Sequence, residues 1–267
     1  MFGSDMLKAV EMHGALGNGL NRENLNLNES VESLARVLAN ADFVVNAVAY
    51  TKVDLAESNY GPAQFANIEV PRKLAEACKL TGSRLIHIST DYVFDGESRT
   101  PYLPTSATNP RSVYGKTKLA GEDAVLSFEN TQVIRTSWLY GANGTCFPKK
   151  VAAKLLSGEE FSVVDNQLGS PTHTLNLAEF ALHVGSQPIS AKVLHGVASG
   201  STSWLGFAQE IARSLFLSAH LIRGAPSENH PAVAERPANG VLTPTQVAGY
   251  QIPEWLPAWK SAASEVL

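Results

Sequence analysis

Arg84-Leu85-Ile86-His87-Ile88-Ser89-Thr90-Asp91-Tyr92-Val93-Phe94 is an apolar run of strand length that ends in two hydroxyls and a carboxylic acid. Residues 84–89 read as a buried strand, and Ser89 and Thr90 then stand at its carboxyl edge, where open α/β sheets bind their ligands. Two further runs of this kind, 42–48 and 132–136, flank it in sequence. Between the runs lie stretches with apolar residues near the 3.6 spacing, at about 30–39, 61–80 and 112–127, which predict helices. Strand, helix, strand in this alternation predicts a parallel sheet with crossover helices over residues 1–136.

The second half is less regular. Short strands are expected at 161–164, 193–197 and 220–223, and helices near 175–185, 203–216 and 257–266. Six prolines from Pro226 to Pro257 favour wrapped loops in the tail. The asymmetry predicts a Rossmann-like doubly wound α/β layer, residues 1–136 with 174–197 returning to it. A smaller interleaved substrate-binding part takes 137–173 and 198–267.

The chain has 267 residues, 44% hydrophobic and 17% charged, with 21 basic against 25 acidic side chains for a net charge of −4. That balance excludes a disordered chain. Without a basic cluster, no nucleic-acid partner is expected. The longest apolar stretches, such as 43–50, have the length of a buried strand, so no membrane span is expected. No basic region followed by an apolar one opens the chain, and Cys78 and Cys146 offer neither a disulfide framework nor a zinc spacing. Two buried, reduced thiols in a cytoplasmic protein are expected, with no metal.

The chemistry-bearing pattern is Tyr114-Gly115-Lys116-Thr117-Lys118. Tyr114 and Lys118 stand four apart and share one helix face. An ammonium beside a phenol favours the phenolate and lowers its pKa from about 10. Such a phenol can give a proton to a carbonyl that receives a hydride, or take one back. Thr90, some twenty residues earlier at a strand end, can hydrogen-bond the same oxygen. The plainer reading is an exposed helix with ordinary neighbours and a hydroxyl that caps a turn; the combination favours catalysis.

These residues, with Asn46-Ala47-Val48-Ala49-Tyr50-Thr51-Lys52-Val53-Asp54, Arg135-Thr136-Ser137-Trp138, Asp165-Asn166-Gln167-Leu168-Gly169-Ser170-Pro171-Thr172 and Arg236-Pro237-Ala238-Asn239, resemble the extended short-chain dehydrogenase/reductase family. Within it they resemble the dTDP-4-dehydrorhamnose reductases. The most specific blocks are Ser89 to Gly96 and Asp165 to Thr172. The resemblance implies NADPH or NADH as cofactor and a dTDP-sugar substrate whose 4-keto group is reduced, and it leaves a homodimer open. It implies Thr90, Tyr114 and Lys118 as the catalytic trio, with Tyr114 as proton donor. Phe2, Gly3, Asn26, Leu27, Ala47, Ala49, Tyr50, Thr51 and Ser89, together with Tyr114 and Lys118, would line the cofactor. Thr90, Asp91 and Trp138 would meet the nucleotide-sugar. Arg22 could pair with a 2′-phosphate or stand as an ordinary surface cation.

The sequence departs from the family at its start. Gly3 aligns with the last glycine of a Gly-x-x-Gly-x-x-Gly turn, so the opening strand and most of that turn are expected to lie upstream of Met1. A strand near 15–21 is expected but weakened by Gly17 and Gly19. Two alternatives stand beside the reductase: an epimerase or dehydratase of the same fold, and a non-catalytic reductase-like subunit. Dehydratases of the family carry Thr-Asp-Glu where this chain has Thr90-Asp91-Tyr92.

Overall fold

A computed structural model describes every residue except Arg22. The Arg22 reading therefore lies outside the described residues. In chain order the elements are α1 (Phe2–Met12), α2 (Val31–Leu38), β1 (Phe43–Asn46), α3 (Val53–Ala56) and α4 (Tyr60–Gln64). A π-helical turn, Phe65–Glu69, leads into α5 (Val70–Thr81), followed by β2 (Arg84–Thr90), α6 (Val113–Leu126) and β3 (Thr131–Thr136). Next come β4 (Leu139–Tyr140), α7 (Phe147–Leu156), β5 (Phe161–Val164), β6 (Leu168–Gly169), β7 (Thr172–His173), α8 (Thr174–Ser186) and β8 (Val193–His195). β9 (Thr202–Ser203), α9 (Trp204–Ser214), β10 (Ile222–Ala225) and α10 (Trp255–Val266) complete the chain.

The central sheet runs β1-β2-β3-β8, parallel throughout. Its strands are rich in Val, Ile and Leu because helices cover both faces. Alternation along β2 sorts the side chains. Leu85 joins the cluster of Leu34, Leu74, Cys78, Val125 and Val133, beneath α2, α5 and α6. Ile86 joins the larger core of Ile134, Leu177, Phe180, Phe207 and Trp259 on the other face. Phe180 and Trp259 are wholly buried, and burying one such side chain contributes roughly 1.5–3 kcal/mol.

The helix boundaries follow from local chemistry. Ser30, Ser112 and Ser203 each accept from a backbone N–H three residues on, capping α2, α6 and α9. Gly82, at φ +77°, takes the left-handed turn that ends α5. Cys78 and Cys146 are free and buried, and burial pushes the Cys78 thiol up to about 12, an unreactive state.

Two local expectations need correcting. Residues 15–21 form no strand. A Cβ at Gly17 would stand 2.7 Å from Val10 Cγ1, and one at Gly19 would stand 2.7 Å from Leu7 Cδ1. The glycines press this segment onto α1 instead of into the sheet. The strand expected at 220–223 begins at Ile222, because Ser218 accepts from His220 N and turns 219–221 into a 3₁₀ helix.

Candidate active site

The same alternation that buries Leu85 turns His87 and Ser89 toward α6. Register places Asn46 opposite His87 and Ser89 opposite Arg135. α6 covers these polar side chains with Lys118 and Glu122, one turn apart. Arg135 donates to both oxygens of Glu122, Nη2 to Oε2 at 2.7 Å, and Ser89 Oγ donates to Oε1. The ion pair is buried. Ser89 therefore points its hydroxyl inward to this pair and offers a cofactor only its backbone.

Thr90 closes β2. Its hydroxyl donates to Asp91 Oδ1 at 3.0 Å, accepts from Tyr92 N, and neighbours the Tyr114 phenol. Burial pushes the Tyr114 phenol up to about 12, against the Thr90 contact. Tyr92, given no site role by the sequence reading, packs edge-on against Tyr114 with ring centroids 5.4 Å apart. Burial also pushes Asp91 up to about 7, with hydrogen bonds from Thr90 and the backbone opposing.

Lys118 behaves differently from the expectation. Its Nζ donates to Ile88 O at 2.7 Å and lies 3.2 Å from His87 Nε2. Among the described residues no hydrogen bond joins it to Tyr114, and Tyr114 is raised rather than lowered. The reason is burial: an amine sealed from water turns to the nearest polar groups, which the strand supplies. Burial itself lowers Lys118 to about 8, with Glu122 opposing.

The loop after β1 holds the proposed cofactor residues. Ala47 and Thr51 are exposed, and Ala49 and Tyr50 are half-buried. Asn67, on the π-helical turn, accepts from Tyr50 N at 2.8 Å and donates to Tyr50 O and Thr117 Oγ1. Sequence reasoning missed Asn67, because only the π turn aims it at the loop. Gly3 lies beside this loop, where an added Cβ would stand 3.9 Å from Ala47 Cβ. The first turn of α1 thus meets the carboxyl end of β1. Phe2 sends its ring into the core, so only its amide is available. Asn26 holds its own turn through Glu29 and Asn28 N, and Leu27 packs on the core while its carbonyl accepts from Lys73.

The other motif segments converge on this edge. Trp138 adopts φ +48° and stacks on Trp204 at 3.4 Å and 7°. A Cβ at Gly169 would lie 2.3 Å from Trp138 Cε2, so the glycine of that motif makes room for the indole. Trp204, a helix-opening aromatic with no motif around it, was missed. Gly96, at φ +81°, lets Pro237 approach within 2.5 Å of a would-be Cβ. Arg236 grips Asp54 through two nitrogens, Nη2 to Oδ2 at 2.7 Å, and Asn239 Nδ2 donates to Ser98 O at 2.7 Å. Two surface clefts, one beside Arg213 and Lys260 and one beside Cys78 and Phe128, share none of these residues.

An open parallel sheet with a threonine at a strand's carboxyl end, beside the tyrosine of a Tyr-x-x-x-Lys helix, defines the short-chain dehydrogenase/reductase class. The chain belongs, more narrowly, to the family described as the RmlD substrate binding domain, whose model matches residues 1–267. It is 39% identical over 239 residues to the dTDP-4-dehydrorhamnose reductase of Mycobacterium tuberculosis, covering 87% of this chain and 78% of that one. It is 40% identical to a probable dTDP-4,6-dihydroxy-2-methyloxan-3-one 4-ketoreductase of Streptomyces antibioticus, covering 83% and 76%. The crystal structure of Bacillus anthracis dTDP-4-dehydrorhamnose reductase in complex with NADP superposes with TM-score 0.93 at 27% identity, covering 99% and 95%.

Proposed function

We propose that this chain reduces the 4-keto group of dTDP-4-dehydro-L-rhamnose, giving dTDP-L-rhamnose, with NADPH or NADH as reductant. The observation that carries the reading is the placement of Thr90, at the carboxyl end of β2, beside Tyr114, with Lys118 one turn along α6. A phenol pushed up to about 12 keeps its proton at neutral pH. It is therefore in the acid form that a carbonyl needs when it becomes an alkoxide. Thr90 stands beside the phenol. Lys118, lowered to about 8, has both charge states within reach near neutrality and can assist return of the phenolate to phenol.

The bound dinucleotide would supply the hydride. The residues present fit it: small Ala47 and Ala49 leave the loop after β1 open. The first amides of α1, at Phe2 and Gly3, stand beside that loop, where an anion is favoured. Tyr50, Thr51, Tyr114 and Lys118 would hold the ribose end. Trp138 would lay its indole against the nucleotide-sugar, backed by Trp204, while Thr90 and Asp91 hydrogen-bond it. In this reading residues 1–136 with 174–197 carry the dinucleotide, and 137–173 with 198–267 carry the sugar. The reaction belongs to the cytoplasm, where two free thiols stay reduced.

The Streptomyces antibioticus relative supports a second substrate reading, another dTDP-linked 4-keto sugar reduced by the same residues. The test gives the purified protein NADPH with each 4-keto sugar and identifies products by ion-exchange chromatography and NMR. Conversion to dTDP-L-rhamnose with one NADPH oxidised per product supports the first reading. Preference for the other sugar supports the second, and no oxidation with either contradicts both.

A further inference from the structure

Asn46, His87 and Lys118 form a buried chain across β1, β2 and α6. Each is at most 2% exposed. Asn46 Oδ1 accepts from Val48 N at 2.9 Å, and a backbone N–H can only donate. That bond fixes the amide, so Nδ2 is the atom that faces His87 Nδ1 at 3.0 Å. An NH₂ group there donates, which leaves Nδ1 without a hydrogen and puts the ring's proton on Nε2. Nε2 in turn lies 3.2 Å from Lys118 Nζ. A nitrogen bearing a hydrogen needs a lone pair opposite it, and Nζ has one only as the neutral amine.

We propose that His87, oriented by Asn46, is a positioning residue that biases Lys118 toward its neutral amine. An ammonium at Nζ would meet Nε2–H, donor against donor. Shifting the ring's proton to Nδ1 would only move the conflict to Asn46 Nδ2, which cannot turn without abandoning Val48 N. Neutral Lys118 satisfies every member: Nζ accepts from His87 and donates to Ile88 O. The chain moves no proton itself; it selects which state of Nζ fits. The surrounding charges act around this choice. Glu122 on α6 favours the ammonium but is held by Arg135 of β3, Asp91 lies just past β2, Tyr114 is the other buried titratable group on α6, and Lys116 and Asp123 of that helix are exposed. Burial of Lys118 acts in the same direction as the chain.

The hydrogen-bond assignment stands without any activity, whereas its consequence for catalysis rests on the reductase reading. The experiment is long-range ¹H–¹⁵N NMR on the full chain labelled at histidine, with ¹³C-lysine labelling to follow the titration of Lys118. In the native protein His87 should be protonated at Nε2 and bare at Nδ1 from pH 6 to 9. Asn46→Asp keeps the shape, and Val48 N, but presents an acceptor to Nδ1. The tautomer should invert, and the Lys118 titration should rise by at least about half a pH unit, with the matching limb of the kcat/KM profile. A native Nδ1–H tautomer overturns the proposal, and so does a rise at Lys118 without tautomer inversion, which would reduce the effect to added charge. The native tautomer decides the matter even if Asn46→Asp does not fold. A native protein inactive on 4-keto sugars would instead remove the reductase reading and leave both NMR results standing.

Discussion

Asp91 is a carboxyl closed off from water, and its ionisation works against the fold. Its native pKa of about 7 exceeds the ordinary 3.8, so the folded state holds this proton more tightly than the unfolded chain. The stability it contributes is complete below about pH 4 and is lost as pH rises through about 7, a change on the order of a few kcal/mol. Asp91→Asn should abolish that loss, so thermal unfolding from pH 5 to 8 should show the native protein falling relative to the variant. Parallel curves would place the titration elsewhere. Tyr114→Phe should cut turnover by roughly 10²–10⁴-fold. It should cost no more than about 0.5–1.5 kcal/mol of stability, the worth of a single hydrogen bond, since only the hydroxyl is removed. Steady-state rates and urea unfolding on that variant check both halves. The pair Tyr114 and Lys118 was legible because a spacing of four on a helix is a local property. The partner of Lys118 was not. It depends on which face of β2 carries His87 and on the register that sets Asn46 beside it, and both are settled only when the sheet assembles.

At the scale of elements, α6 is joined to the sheet by Glu122 and Arg135. Arg135→Met leaves a buried carboxylate without its cation and should cost about 3–5 kcal/mol. Adding Glu122→Leu should recover much of that, because the pair's net worth against apolar replacements is small. Urea midpoints of the single and double variants measure the difference. β6 carries a second dependence. Gly169→Ala forces a methyl into the Trp138 indole and should cost about 1–3 kcal/mol by overpacking, with a raised KM for the nucleotide-sugar at nearly unchanged kcat. An unaltered KM would remove Trp138 from the sugar's surroundings. The elements themselves were largely readable: β2 and α6 fall within a residue of expectation because apolar period and serine caps agree there. The segment at 15–21 misled because its glycines serve a contact with α1, and no sequence period records which neighbour a glycine admits.

For the molecule as a whole, sites distant in sequence meet at one sheet edge. Asp54 and Arg236, 182 residues apart, tie α3 to the tail, with Ala234 N adding a third bond. That closure could be named from the motifs but not built from them, since pairing across such a separation has no local signal. The sheet also keeps an outer edge at β1 with no strand partner among the described residues. α1 starts at the carboxyl end of that strand, so a parallel strand fused ahead of Met1 could run along β1 and enter α1 without a crossover. Such a fusion should melt higher than the present chain; an unchanged melting temperature would mean that the edge is already satisfied. The central claim is a hydride delivered to a sugar carbonyl that Tyr114 protonates. It is tested most directly with NADPH carrying deuterium at the transferable position of nicotinamide C4, mixed with dTDP-4-dehydro-L-rhamnose and followed by NMR. The account predicts deuterium at C4 of the sugar in the native protein and almost none at equal time in Tyr114→Phe. Reduced sugar without deuterium, or equal labelling by the variant, would contradict it.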